Sequence, residues 1–580
     1  MGAPSVVVVG AGLGGMAAAI AAAELGCRVT LVEKGARVGG AAAYSGGQVW
    51  VAANHVEARL GLDDDLDSAR TYVQAAASRD AATVDVALAR EWLAGAADAA
   101  AWFEALGVIE WDVVPDYPDY YFPDLPGSRP TGRYLTGRPF DGSRLGEARG
   151  LLHVSPHFPV GITYPEMFSW GGMSSRTTWD WALVERRRAD DVLTFGTGIA
   201  AAFFRGVLDR DVEVLIGHEV VSLIGDGGEG GEGDGASGAG DGRADEGVDD
   251  PAARARPGSG AGPVVGVQAR AVASGELVER RGAVILATGA HDWSAALAAR
   301  FTGIPPEDGG SVAPSSLTGD AVGLVEAVGG HAAALPPWAA PVLPGYRLPE
   351  PRFEGDTRYR ACFEHCLPHT FIVDRSGTRF CDDSFHSRIV AAALGDEVGE
   401  PVHLPIFMVW DERHHRDYGL GSTMPGEDYP TGLVTSAPTL EALGAALGID
   451  GAALAATADR FNGFAVDGVD PDFGRGSNLS VRRFRGDGNN RPNPCLGTVA
   501  EAPFHGMRLR LLNTGIAAAG VASGVSGRVL RADGSAIPGL FAAGECSARA
   551  AAGVGYNSGY SLSRAMAFGV LAARAVASPA

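Results

Sequence analysis

Along the chain, short runs of aliphatic residues alternate with alanine-rich stretches whose apolar positions repeat at helical spacing, and glycine clusters separate the two. The first run, Val6 to Val9, predicts a strand. Gly10 to Gly15 follows as a turn, then an alanine-rich helix to about Leu25 and a strand over Arg28 to Glu33, which together read as one βαβ unit. Residues 65–108 carry helical spacing, whereas 111–144 is rich in proline, glycine and tyrosine and is expected to be a covering loop. Strand-like Val214 to Ile224 and Val264 to Val267 flank a Gly/Asp/Glu/Ala/Arg tract at 226–262, which has no apolar surface to bury and is expected to be a disordered hairpin tip. A strand at Ala283 to Ala287 runs into Thr288-Gly289. Residues 341–490 mix both patterns and read as a separate domain; Asn493-Pro494-Cys495 and Ala502-Pro503-Phe504 mark the return. The pattern is β-rich from Gly527 and closes with a helix near Ser561 to Val576. The first domain is therefore expected in two pieces, 1–340 and 491–580, around an α+β insertion at 341–490.

A chain of 580 residues exceeds what one hydrophobic core organises, which agrees with that division. With 46% hydrophobic but only 8% aromatic residues, and 83 glycines, the composition suits closely packed nucleotide-binding elements. The net charge of −22 argues against nucleic acid as a partner, since phosphate-backbone binding rests on clustered Lys and Arg. Six cysteines scattered over this length form no disulfide framework, and no export signal opens the sequence, so a cytoplasmic location is expected. No run approaches the roughly 18 to 20 apolar residues of a membrane-spanning helix.

Gly10-Ala11-Gly12-Leu13-Gly14-Gly15 places a G-x-G-x-x-G element directly between a strand and a helix. The first glycine permits the tight turn, the second lets backbone approach a pyrophosphate, and the third lets helix and strand pack. The helix N-terminus adds partial positive charge. Glu33, about 20 residues on at the end of the second strand, suits a carboxylate that accepts the hydroxyls of an adenosine ribose. Lys34 and a second glycine-rich stretch follow, Gly39-Gly40-Ala41 and Ser45-Gly46-Gly47, which a simple NAD unit does not need.

In this order of motifs the sequence resembles the FAD-dependent succinate dehydrogenase, fumarate reductase and 3-ketosteroid dehydrogenase superfamily. Further matches are Ala287-Thr288-Gly289, Thr318-Gly319-Asp320, Gly377-Thr378-Arg379-Phe380, Ile537-Pro538-Gly539-Leu540 and Ala543-Gly544-Glu545. The resemblance implies an α/β fold: a Rossmann-like FAD-binding domain of two-dinucleotide-binding type, interrupted by an α+β catalytic domain. It implies FAD as cofactor, with Asp320 and Glu545 near the pyrophosphate and ribityl chain and Ser561-Leu562 opening a helix toward the isoalloxazine. A helix N-terminus there stabilises anionic reduced flavin. Val220, in the strand before the low-complexity tract, is a further expected contact. Relatives that tether FAD use a histidine after the Gly39-Gly40 position, and Ala41-Ala42-Ala43-Tyr44 has none, so the cofactor is expected to be non-covalent.

Fumarate reductases carry a substrate-clamping arginine at the position of Tyr556 and a histidine near Leu511 to Gly515, where this chain has none, so dicarboxylate reduction is disfavoured. Tyr556-Asn557-Ser558-Gly559-Tyr560 instead resembles the 3-ketosteroid dehydrogenases, in which a tyrosine and neighbouring donors stabilise the enolate of the ketone. Tyr556 and Ser558 are the implied residues, with Tyr560 standing where one branch has glycine. Asp116 to Tyr121 resembles a loop that supplies a supporting tyrosine, Tyr120 with Tyr121 close behind. The usual base, a tyrosine after the Arg379-Phe380 motif, is replaced by Ser387, and His386 beside it becomes the candidate base if it points inward. Cys362, His365, Cys366 and His369 have a spacing unlike common zinc sites and are read as part of a cavity-lining loop, with no metal. The reading is a dehydrogenase that desaturates a bond next to the ketone of an apolar cyclic substrate and passes electrons to an external acceptor. An ene-reductase of a conjugated acid or ketone, and a flavin-binding sensor, stand as alternatives.

Overall fold

The computed structural model describes residues 3–158, 161–226, 262–350 and 358–578. Its leading βαβ unit is strand Ser5–Val9, helix Leu13–Glu24 and strand Arg28–Glu33. These strands join a six-stranded sheet in the order Arg528–Leu530, Ala536–Ala542, Ala283–Leu286, Ser5–Val9, Arg28–Glu33, Val212–Ile216, parallel except at the first edge. The register sets Val9 beside Leu286 and Val32, and Leu286 beside Ala542, so the strands' C-terminal ends meet along one rim. In parallel sheets that rim is where ligands bind. Val6, Val8, Ile20 and Leu31 are buried between the sheet and the helices on one face, where Leu13–Glu24 packs against the C-terminal helix Tyr560–Ala577.

The strand-like 214–224 segment is two strands. Gly217, at φ 70°, turns the chain out of Val212–Ile216 into His218–Gly225, which pairs instead with Val264–Ala271 in a three-stranded sheet. Asp226 N–H donates to Pro263 O at 2.9 Å, so the two ends of the low-complexity tract meet at a hairpin. Residues 227–261, and with them the expectation of disorder, lie outside the described residues.

The second large sheet has seven strands, built around Phe504–Asn513. Leu343–Arg347 and Ile406–Asp411 flank that strand, followed outward by Tyr359–Ala361 and Thr370–Asp374; Gly309–Ser311 and Thr435–Ala437 add to it. By strand pairing this unit therefore runs past residue 490, because Phe504–Asn513 completes it before the chain returns to the first sheet at Arg528. Leu509 and Leu511 share its core with Ile372 and Met408.

The 111–144 segment is more than a loop. Tyr134–Gly137 pairs with Trp111–Val113 on one side and with Val49–Trp50 on the other. What fixes the stretch between them is a buried ionic hub. Arg133 donates to Asp64 at 2.7 and 2.8 Å and to Asp119 at 2.9 Å, and Trp50 Nε1 donates to Asp119 at 2.7 Å. The side chains of Arg133, Asp64 and Asp119 are each 1% exposed, so no water shares the charge. All six cysteines are free and buried, and among the described residues no helix is long and apolar enough to cross a membrane. Breaking a buried pair strands its partner's charge. Arg133→Met is expected to destabilise the protein by about 3–5 kcal/mol, read as a fall in Tm.

Candidate active site

A cavity of about 820 Å³ opens at the C-terminal rim of the first sheet and extends to the second. At its sheet end it is lined by Gly10, Gly12 and Gly14, by Glu33 and Lys34, and by Gly40, Ala41, Ser45, Gly46 and Gly47. Gly12 faces open space, since a Cβ there would meet no atom within 4 Å. Gly15 is a packing residue whose Cβ would lie 1.8 Å from Gly10 O, and like Gly39 it does not line the cavity. Gly39 N–H donates to Ala11 O at 2.8 Å, which clasps the second glycine stretch to the first. Glu33 accepts from Ala11 N–H and Gly35 N–H, both at 2.8 Å, and burial raises its pKa while those amides oppose the shift. Lys34 Nζ bonds Asp320 at 2.7 Å and also Thr318, whose hydroxyl donates to Asp320 at 2.6 Å.

Val220, Ala287, Thr288, Gly289, Asp320, Gly544 and Glu545 continue the wall. Glu545 accepts from Arg564 at 3.2 Å and from Ala517 N–H at 3.1 Å. Ser561 and Leu562 lie in the first turn of Tyr560–Ala577, and no side chain caps that helix or the one starting at Leu13. Two uncapped helix N-termini thus meet one cavity with their free amides. Thr288 Oγ1 and Gln48 Nε2, which belong to lining residues, are buried without a protein partner. This donor set fits a bound dinucleotide: amide-rich ends for phosphates, a buried carboxylate for ribose hydroxyls, and unpaired polar atoms along the remaining length.

At the far end the structure brings together Tyr120, His386, Tyr556 and Ser558. The Tyr120 ring lies 5.7 Å from His386 and 6.2 Å from Tyr556, edge-on to each. Asn557 sets this geometry. Its Oδ1 accepts from Tyr120 N–H at 2.9 Å and from Tyr72 at 2.7 Å, and its Nδ2 donates to Tyr134 at 2.7 Å, while Asn478 donates to Tyr120 O at 2.7 Å. Ser558 donates to Gln48 Oε1 at 2.6 Å. Burial raises the pKa of Tyr120, and Arg485 and Ser558 oppose that shift; burial raises Tyr556 further.

Tyr121 turns to a separate cleft beside Phe385 and Arg388, and Ser387 likewise does not line this cavity. The Tyr560 ring is held edge-on between Trp50 at 4.9 Å and Trp92 at 4.8 Å, so only the backbone of Gly559 before it reaches the cavity. His386 does point inward and is 4% exposed, yet it is a poor base. Burial, Arg485 and His365 hold its pKa well below the ordinary histidine value, and its Nδ1 lies 3.5 Å from Arg485 Nη1. Arginine has no acceptor to offer, so Nδ1 carries the lone pair and Nε2 the proton. His386 therefore presents an N–H to the cavity.

Of the Cys362–His369 cluster, the residues that reach the cavity are Phe363 and Glu364. Cys362 meets Met408, His365 bonds Asp383 O, Cys366 donates to Ser384 O and His369 bonds Thr498 O, so the four side chains find separate partners, with Cys366 Sγ also 3.6 Å from His365 Nδ1. Glu412, His415 and His505 form a separate group in which one carboxylate oxygen lies 3.0 Å from His505 and 3.4 Å from His415. Arg176 and Arg485 also line the cavity, with no motif around them to signal it, and so does Gln48, which follows the Ser45-Gly46-Gly47 motif but was not singled out by it.

The rim, the glycine cradle and the acid at the second strand's end define a dinucleotide-binding flavoprotein. The chain matches the FAD binding domain family over residues 5–562 and belongs to it. It is 30% identical to the 3-oxosteroid 1-dehydrogenase of Mycobacterium tuberculosis, covering 99% of this chain and 98% of that protein. It is also 30% identical to the 4-oxocyclohexanecarboxylate 2-dehydrogenase of Sinomonas cyclohexanicum, covering 99% and 93%. The structure superposes with a TM-score of 0.82 and 25% identity on a 3-ketosteroid delta1-dehydrogenase from Sterolibacterium denitrificans in complex with 1,4-androstadiene-3,17-dione, covering all of both chains. This chain is an FAD-dependent oxidoreductase of that superfamily.

The buried histidines set an acid limit. Burial lowers His157 to about 4 and His365 and His414 to about 3. Each is neutral in the folded protein and protonates near 6.5 when unfolded, so its contribution is complete above pH 6.5 and is lost as pH falls toward 4. Each unit of such a shift is worth about 1.4 kcal/mol. Tm is expected to hold from pH 8 to 6.5 and to drop steeply between 6.5 and 4; a flat profile across that window would contradict the burial.

Proposed function

We propose that this protein dehydrogenates a carbon–carbon bond adjacent to the ketone of a cyclic substrate. The observation that carries the reading is the convergence of Tyr120, Tyr556 and Ser558 at the end of the dinucleotide cavity, beside the uncapped first turn at Ser561-Leu562. FAD, which the glycine cradle, Glu33 and Lys34 would hold, would supply a two-electron acceptor for the hydride lost from the β-carbon. The chain's own residues do the rest. Tyr556 and the first-turn amides hold the ketone oxygen and stabilise the enolate as the α-C–H bond breaks. Tyr120, ionised to its phenolate by loss of its hydroxyl proton to solvent, takes the α-proton and becomes the phenol again; Ser558 favours that phenolate and is itself fixed by Gln48. His386, its basicity suppressed, acts as a donor.

FAD is held without a covalent bond, because Ala41 to Tyr44 offers no histidine and the cradle supplies charge and amides along the dinucleotide's length. Two electrons leave to an external acceptor. Six free, buried cysteines support a reducing, cytoplasmic setting.

Acid precipitation of the purified protein is expected to release the yellow cofactor into the supernatant. Under anaerobic conditions a saturated cyclic ketone should bleach the flavin; bleaching absent with ketones, but reduced flavin reoxidised by an enone or enoic acid, would reverse the direction. Tyr556→Phe should keep its flavin yet lower turnover by about 10²-fold, the loss of one oxyanion donor. Unchanged turnover would remove Tyr556 from the reaction.

A further inference from the structure

The charges at the substrate end of the cavity do not balance. Glu364 accepts from Gly421 N–H at 2.8 Å and Phe363 N–H at 3.0 Å, with Arg176 3.9 Å away. Arg176 in turn donates to the carbonyls of Tyr418 and Gly421. That pair is settled. Arg485 is not. It follows the short helix Leu479–Phe484, is 9% exposed and lines the cavity. Its guanidinium lies 4.7 Å from the Phe363 ring and 5.8 Å from that of Phe484, and faces His386 and the Cys366 thiol. Among the described residues no carboxylate forms an ion pair with it. Burying a permanent cation without an anion is costly, so a guanidinium kept in such a place suits a ligand that brings the charge.

His386 points to the same ligand by a separate route. Its Nε2 is buried with no hydrogen-bond partner, although the residue is only 4% exposed and lines the cavity. With Nδ1 turned to Arg485, that Nε2 carries hydrogen and has nothing to donate to. A forked guanidinium and an imidazole N–H converging on one space match the two oxygens of a carboxylate. Around them the walls are apolar, from Phe158, Trp179, Phe363 and Phe484, and Tyr120 and Tyr556 stand alongside. On the basis of the dehydrogenase reading above, we infer that Arg485 and His386 form a carboxylate subsite, so that the substrate is a cyclic oxo-carboxylic acid rather than a neutral steroid. The ketone is held by Tyr556 at one end of the ring and the carboxylate by Arg485 at the other. The apolar walls take the ring between them.

The test uses the purified holoenzyme with an artificial electron acceptor and three ketones: 4-oxocyclohexanecarboxylate, its methyl ester and a 3-ketosteroid. The acid is expected to have a kcat/KM at least about 10-fold above the other two, the contribution of a hydrogen-bonded charge. In Arg485→Met the KM for the acid should rise about 10- to 100-fold, while the ester changes far less, and Arg485→Lys should recover part of the loss. Independently of turnover, cyclohexanecarboxylate, which carries no ketone, should perturb the flavin absorption spectrum saturably in the unaltered protein and not in Arg485→Met. A preference for the steroid, an equal loss on acid and ester, or no perturbation by the unreactive carboxylate would each overturn the subsite. If no ketone of any kind bleaches the flavin, the dehydrogenase reading fails instead, and the carboxylate titration still decides whether an anion binds.

Discussion

The site depends on one buried amide. Asn557, with no solvent exposure, joins the backbone of Tyr120, the hydroxyls of Tyr72 and Tyr134 and its own neighbour Ser558. Those groups belong to a helix, a strand, the aromatic segment and the entry to the C-terminal helix. A buried amide with both its donor and acceptor sides satisfied is orientation-specific, because rotating it would set donor against donor. The Arg133 hub acts one step behind, fixing Asp119 and so the residue before Tyr120. Cofactor cradle and substrate end are thereby held in one frame by polar groups that tolerate little displacement.

The cofactor half was legible because its signal is local. Gly10 to Gly15 and Gly39 to Gly47 shape the wall through backbone and turns that sequence order dictates directly, and Glu33 adds its carboxylate at the end of the second strand. Arg28–Glu33 forms as the hydrophobic pattern predicts. The break at Gly217 was hidden, since both flanking segments are strand-like and only tertiary pairing assigns them to different sheets. Motifs marked Tyr120, Tyr556 and Ser558, which the fold brings to one end of the cavity. Arg485 arrives from a distant segment with no pattern of its own, and Gln48, although it follows Ser45-Gly46-Gly47, carries no signal that separates it from its neighbours. The expectation that dicarboxylate reduction is disfavoured rested on the Tyr556 position and on the missing histidine at Leu511 to Gly515; the fold brings a cation, Arg485, to the cavity from elsewhere in the chain.

His386 illustrates a second limit. Its place next to Ser387 suggested a base, and the structure does turn it inward. Basicity, however, is a property of surroundings: desolvation and two cationic or potentially cationic neighbours remove it. The same ring that fails as an acceptor gains value as a donor. Proton affinity at such a position follows from which elements pack together, and no stretch of sequence states that.

The hairpin closed by Asp226 and Pro263 separates chain length from architecture. The chain leaves the sheet at Asp226 and is back in it at Pro263, and the hydrogen bond between these two residues fixes the strand register there. The entropic cost of a flexible closed loop grows with the logarithm of its length, about 0.6 kcal/mol per doubling. Ends that sit one hydrogen bond apart therefore set a low entropic threshold for changes in the length of chain between them.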